Sequence, residues 1–215
     1  MTTAVVFDYG FGNVRSMVRA LADLGVDTTL TSDYRQALEA DGLVVPGVGA
    51  FAACMDGLKK VDGDRVIYDR IRAGRPVLGV CVGEQIMFER GLEHGAHASG
   101  IGLIGGSVNL LDADVVPHMA GTPLRPLPIP CCSTVWKTSA SISCIPMPQW
   151  RSSPPTPRVF DIDLQTSTER VSWCTYGRSR FVAAYERGPL SATQFHPEKS
   201  GDAGAQLLKN WIATL

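Results

Sequence analysis

Short apolar runs alternate with longer amphipathic ones through the first half of the chain. The runs Ala4–Phe7, Val26–Leu30, Leu43–Val45 and Val77–Val80 have the length and composition of buried strands. Between them Asn13–Leu24, Tyr34–Ala40, Phe51–Lys60 and Asp64–Ala73 carry apolar residues at helical spacing. Strand and helix in alternation predict an α/β unit built on a parallel sheet. Strand patterns return at Phe181–Tyr185 and Ser191–Phe195, and a closing helix is expected from about Gly201 to Ile212. The chain of 215 residues is long enough to bury a large core, so one domain over 1–215 is expected.

Two places in this frame carry chemistry. Gly79-Val80-Cys81-Val82-Gly83 follows the apolar run Pro76-Val77-Leu78 and precedes a helical-looking stretch, Gln85-Ile86-Met87-Phe88. A nucleophile on a sharp strand-to-helix turn needs small residues two positions to either side, and Gly79 and Gly83 supply them. At the carboxyl end of a parallel strand, where ligands of such sheets gather, a thiol at a helix N-terminus is set for attack. The second place is Phe195-His196-Pro197-Glu198. On an extended strand His196 and Glu198 point to one face, so the carboxylate can hold one ring nitrogen while the other faces Cys81. Taken singly, the first motif also suits a buried thiol in a tight turn and the second a surface turn. Together, each closing a strand pattern, they point to a cysteine nucleophile, its base and an orienting carboxylate.

A third stretch, Val45-Pro46-Gly47-Val48-Gly49-Ala50-Phe51, is a glycine-rich turn between a strand and a helix. It lacks the Lys-Ser/Thr that completes a nucleotide-phosphate loop. Beside a cysteine nucleophile, its backbone N–H groups suit an oxyanion hole, and a plain tight turn is the alternative.

Composition narrows the setting. Lys and Arg number 20 against 21 Asp and Glu, so nothing suggests a nucleic-acid partner. No apolar run reaches the length of a membrane span or a signal-peptide core. Cys54, Cys81, Cys131, Cys132, Cys144 and Cys174 form no C-x-x-C pair, and His94, His97 and His118 show no ligand spacing, so no metal or cofactor is expected. A reducing cytoplasm is the simplest location.

Asp8-Tyr9-Gly10-Phe11-Gly12-Asn13, Val45–Phe51, Gly79–Phe88 and Ala192–Gly201 together resemble the class I (triad) glutamine amidotransferases, most closely the glutaminase subunits of imidazole glycerol phosphate synthase. The resemblance covers residues 1 to about 118 and about 171 to 215. It implies an α/β fold with a central, mostly parallel sheet flanked by helices. Cys81 would attack the side-chain amide of glutamine, His196 would protonate the departing ammonia and activate water, and Glu198 would hold His196. The N–H of Val82 and one from Gly47, Val48 or Gly49 would make the oxyanion hole, and Gln85 would help hold glutamine. Ammonia would pass to a synthase partner with a (β/α)8 barrel, in a heterodimer. The glutaminases of anthranilate and aminodeoxychorismate synthase share the triad, and a non-catalytic docking subunit of the same fold is the rival from another class.

Two departures stand out. Glu84 occupies a position where this family usually carries an apolar residue; facing the site, its carboxylate would oppose ionisation of Cys81, and otherwise it would point to solvent or the partner. Between Pro117 and Pro157 lie ten of the fourteen prolines, and no Asp or Glu occurs from Val115 to Phe160. Prolines at this density cannot sit in central strands, because each removes a ladder donor. Read one base out of phase, the codons of Ala120–Pro123 permit Gly-Trp-Asn-Thr. Those of Lys137–Pro148 permit Glu-Asp-Glu-Arg-Phe-Tyr-Phe-Val-His-Ser-Tyr-Ala. Both segments resemble the family, which points to a shifted reading frame over about 120–160; a Pro-rich insert or linker is the alternative, and poor order or few buried contacts are expected there.

Overall fold

The computed structural model describes residues 1–93, 96–112, 118–119, 141–142 and 167–215. The expectation of few buried contacts over 120–160 therefore lies outside the described residues. The first half runs β1 (Thr3–Phe7), α1 (Val14–Asp23), β2 (Asp27–Thr31), α2 (Tyr34–Glu39), β3 (Gly42–Gly47), α3 (Phe51–Lys60), α4 (Gly63–Arg72) and β4 (Val77–Cys81). Each element expected from the apolar pattern is there.

The stretch Gln85–Phe88 is not helical, which corrects the sequence reading. The helix α5 (Val82–Gln85) is a single turn, and Phe88 already opens β5 (Phe88–Glu93), followed by β6 (Ala96–Ser99) and β7 (Ile104–Asn109). The carbonyls of Ile86 and Met87 accept from the N–H groups of Ile101 and Ile104 rather than from a next helical turn. Ile86, Met87 and Phe88 are all buried, so no polar face exists to support a helix at the surface. β5, β6 and β7 form a small second sheet in the order β6-β5-β7. Its Gly91 and Gly100 lie against the ring of Phe51, where a Cβ on Gly91 would stand 2.4 Å from the ring.

Two short strands, β8 (His118–Met119) and β9 (Ser141–Ile142), pair antiparallel. The chain closes with β10 (Arg170–Tyr176), β11 (Ser179–Arg187), β12 (Leu190–Thr193), a 3-10 turn at Pro197–Lys199 and α6 (Gly201–Ile212). The main sheet has seven strands in the order β10-β11-β12-β4-β3-β1-β2. From β12 to β2 all neighbours are parallel, whereas β11 and β10 are added antiparallel. β3 and β4 are buried along their whole lengths. That is why they read as unbroken apolar runs, since a parallel sheet covered on both faces has no polar face to alternate with. Among the described residues no helix is long and apolar enough to cross a membrane.

Pro46 lies within β3, paired in register with Val80 of β4. It is tolerated there because β1 stops pairing with β3 at Val44, so the missing N–H costs no ladder bond. Its carbonyl accepts instead from the Tyr9 hydroxyl at 2.5 Å. The register also levels three strand ends: Gly47 of β3 faces Cys81 of β4, and Thr193 of β12 faces Val80. Everything with candidate chemistry thus meets at one carboxyl edge of the sheet.

Candidate active site

Cys81 has φ 59° and ψ −116°, a conformation that costs a non-glycine residue of order 1–3 kcal/mol and recurs at functional turns. The flanking glycines make that bend possible. A Cβ on Gly79 would lie 2.7 Å from the Gly83 carbonyl oxygen, and one on Gly83 only 1.9 Å from that of Val45. Gly47 is pressed against the same elbow, its would-be Cβ 2.5 Å from the Gly83 nitrogen and 2.8 Å from the Val82 carbonyl carbon. The turn after β3 and the turn after β4 therefore meet backbone to backbone. Val82 is buried within this contact, whereas Val48 and Gly49 stand exposed at its rim.

Opposite the elbow, His196 Nδ1 lies 2.8 Å from Glu198 Oε1, with side-chain exposures of 11% and 1%. Glu198 lies on the 3-10 turn and not on a strand, which corrects the expected geometry. Its carboxylate reaches the ring because the chain tightens at Pro197. Two hydrogen bonds steady this loop, Ser200 Oγ to the His196 carbonyl at 2.7 Å and Thr193 Oγ1 to the Phe195 carbonyl at 3.0 Å. Burial alone would discharge the imidazole. Hydrogen bonds with Cys81 and Glu198, and the negative charge of each, outweigh it and hold His196 up at about 9. The imidazole is thus engaged by both Cys81 and Glu198.

Two further residues join this group that the sequence motifs did not single out. Asn13, just before α1, donates from Nδ2 to Glu198 Oε1 at 3.2 Å, so the carboxylate is fixed from two sides. Gln194 is 3% exposed. Its Oε1 accepts from Gln85 Nε2 at 2.9 Å, and its Nε2 lies 3.8 Å from Cys81 Sγ. The available signals were Asn13 closing the Asp-Tyr-Gly-x-Gly-Asn stretch, and Gln194 standing two residues before His196.

Of the two orientations open to Glu84, the solvent-facing one is not adopted: it is 1% exposed and its Oε1 has no hydrogen-bond partner among the described residues. Burial first, then the nearby Cys81 charge, push its carboxyl well above the usual range. As a neutral acid it does not oppose the thiolate. Beneath the β3 turn, Tyr9 and Cys54 hold the two carbonyls on either side of Gly47. Tyr9 takes that of Pro46 and Cys54 Sγ that of Val48, at 3.3 Å. Burial pushes the Cys54 thiol up to about 11, so it stays an uncharged donor.

Residues 5–123 match the family described as glutamine amidotransferase class-I. The chain is 77% identical, over all of both chains, to imidazole glycerol phosphate synthase subunit HisH of Bifidobacterium longum. It is 50% identical to the subunit of that name from Streptomyces coelicolor, over 98% of this chain and 93% of that one. Among solved structures it resembles a chain of PurLQS from Thermotoga maritima, with TM-score 0.65 and 12% identity over 99% of this chain and 98% of that one. That last likeness bears on the fold alone.

Proposed function

The chain belongs to the class-I glutamine amidotransferases, and we propose that Cys81, His196 and Glu198 are the triad with which it hydrolyses glutamine. It is the glutaminase subunit of imidazole glycerol phosphate synthase. The glutaminases of anthranilate and aminodeoxychorismate synthase, and a non-catalytic docking module, are not favoured beside relatives this similar.

In the first step the Cys81 thiolate adds to the side-chain carbonyl carbon of glutamine, and the oxygen takes up negative charge. N–H groups of Val82 and of the Gly47–Gly49 turn receive that charge. His196, as imidazolium, gives its proton to the amide nitrogen. The C–N bond breaks, ammonia leaves, and a glutamyl thioester remains on Cys81. His196 then takes a proton from water, the water oxygen adds to the thioester carbon, and the C–S bond breaks to give glutamate and the thiolate. Glu198 keeps the imidazole in place and favours its charged form, helped by Asn13. Gln85 contributes to holding glutamine. The ammonia goes to the synthase partner. We propose that this partner is a (β/α)8 barrel in a heterodimer, and that the complex works in the cytoplasm, where a thiol nucleophile stays reduced.

The observation that carries the triad is the His196–Glu198 contact at 2.8 Å, with Cys81 also hydrogen-bonded to the imidazole. Its test is glutamine hydrolysis by the full chain with the synthase subunit and its nucleotide substrate. Cys81→Ala is expected to lose activity by roughly a thousandfold or more. Retained hydrolysis in that variant would remove Cys81 from the role. We propose that the frame is shifted over about 120–160, on the two out-of-phase segments that resemble the family; the family model's match ends at residue 123, whereas relatives match along the whole chain. Sequencing the gene across the segment tests it, and a secure frame encoding the printed residues would sink it.

A further inference from the structure

We infer that Gln194 is a further catalytic residue: its side-chain N–H donates a hydrogen bond to the Cys81 thiolate, and Gln85 sets the amide in that orientation. The inference rests on Cys81 being the nucleophile. Gln194 is 3% exposed and Gln85 2%, so water does not compete for either amide. An amide has one accepting and one donating end. Gln85 Nε2 occupies the accepting end of Gln194 at 2.9 Å, which leaves Nε2 to face Cys81 Sγ at 3.8 Å. Turning the Gln194 amide alone would set two N–H groups against each other. Turning both amides would present an oxygen to the sulfur and favour the neutral thiol.

The sulfur carries full negative charge before it attacks and again when the thioester breaks, and it is neutral in between. A donor fixed on it favours the charged states at both ends of the cycle. His196 favours the same states, but in transferring its proton to the leaving nitrogen it gives up its own charge. Gln194 has no proton to lose and stays a donor throughout. Four titratable groups also face the sulfur: His196 after β12, Glu84 of α5, Tyr9 after β1 and Cys54 of α3. Gln194→Met adds no charge beside them, so it is the variant that reads the donor's own contribution.

The experiment measures, against pH, the rate at which iodoacetamide modifies Cys81 in the full chain bound to its synthase partner, with the site of modification identified by mass spectrometry. Glutamine hydrolysis is followed in parallel. Gln194→Met keeps the length of the side chain and removes the donor. Its alkylation profile is expected to move up by about one pH unit, roughly tenfold slower on the acidic limb and little changed on the alkaline plateau. Gln194→Glu should move the profile further, by placing an acceptor and a charge on the sulfur. If the methionine variant does not fold, the glutamate variant, which keeps an acceptor for Gln85, reads the same limb. A profile that coincides with the wild type, moves downward, or falls equally at every pH overturns the inference, the last because a merely structural role would do that. Cys81→Ala separates the two levels. If it still hydrolyses glutamine, the triad reading fails; if it is inactive while Gln194 variants keep the wild-type profile, only the role of Gln194 fails.

Discussion

Arg70 and Glu84 are both ionisable side chains with almost no exposure, 0% and 1%, and they lie at opposite edges of the same sheet. Arg70, on α4, meets the chain where it enters β3 and β4. Its Nη1 donates to the carbonyls of Ala37, Leu38 and Ala40 at the end of α2, and its Nη2 to those of Asp41 and Pro76. The last carbonyls of a helix lack partners within the helix, and the guanidinium gathers them. Burial lowers Arg70 to about 10, which still leaves it charged at neutral pH. At the carboxyl edge Glu84 finds no such partners for its Oε1, and Cys81 nearby only disfavours its charge. Burial there extinguishes the charge. The first edge spends five hydrogen bonds on holding the chain together, with Arg70 Nε left unpartnered among the described residues. The other leaves its polar contacts strained or unmet around the Cys81 sulfur, as sites of chemistry commonly do.

The largest effect is expected where that second edge is tightest. A methyl at Gly83 would have to push the Val45 carbonyl away, from 1.9 Å, and so part β3 from the elbow. Gly83→Ala should lower stability by about 3 kcal/mol and glutamine hydrolysis by more than about a hundredfold. Urea midpoints and activity with the synthase partner measure both. Wild-type activity in this variant would show that the two turns need not touch. Arg70→Met should cost a similar amount, about 3 kcal/mol, because buried carbonyls lose their donors. For a domain this size that is a fall in Tm of roughly 10 °C. Activity per folded molecule should hardly change, and a large loss of activity would break the division between the two edges.

Glu84→Met should go the other way and stabilise, by about 1–2 kcal/mol, since an apolar side chain has no orphaned oxygen to bury. The sign with pH is definite. The folded carboxyl holds its proton well above the ordinary 4.5, so between those values the folded state binds more protons than the unfolded one. Wild-type stability then falls as pH rises above about 4.5. The advantage of Glu84→Met should therefore be larger at about pH 6 than at about pH 4. His196 adds a loss of the same sign, but that begins above its ordinary 6.5 and runs through about 9, so the acidic comparison isolates Glu84. An advantage that shrinks with rising pH would mean Glu84 is ionised in the folded protein.

Much of this was legible from apolar spacing because β3 and β4 are buried throughout, and a strand covered on both faces announces itself. The small sheet was not legible. Its Phe88–Glu93 strand mixes buried Phe88 and Gly91 with exposed Glu89 and Arg90, and its ladder depends on partners up to Asn109. Cys81 and His196 could be picked out because each chemistry needs its small or paired neighbours close in sequence. Asn13 reaches Glu198 across 185 positions and Gln194 reaches Cys81 across 113, and no local pattern encodes a contact of that span. The burial of Glu84 escaped for a related reason. Local sequence favours exposure for a carboxylate, and only the packing of α5 against the sheet overrides it.

Tyr9 gives the smallest effect and the finest probe of how the strained edge is held. Its hydroxyl donates to the Pro46 carbonyl and neighbours the Cys54 thiol. Removing it by Tyr9→Phe leaves the ring in place, stacked toward Phe7, and strands one buried carbonyl. The cost should be about 1 kcal/mol in stability. If that carbonyl sets the plane of the Pro46–Gly47 peptide, and with it the turn beside Cys81, hydrolysis should also fall several-fold through kcat, with KM nearly unchanged. A stability loss without any change in kcat would place Tyr9 with Arg70, among the residues that hold the sheet and do nothing for the reaction.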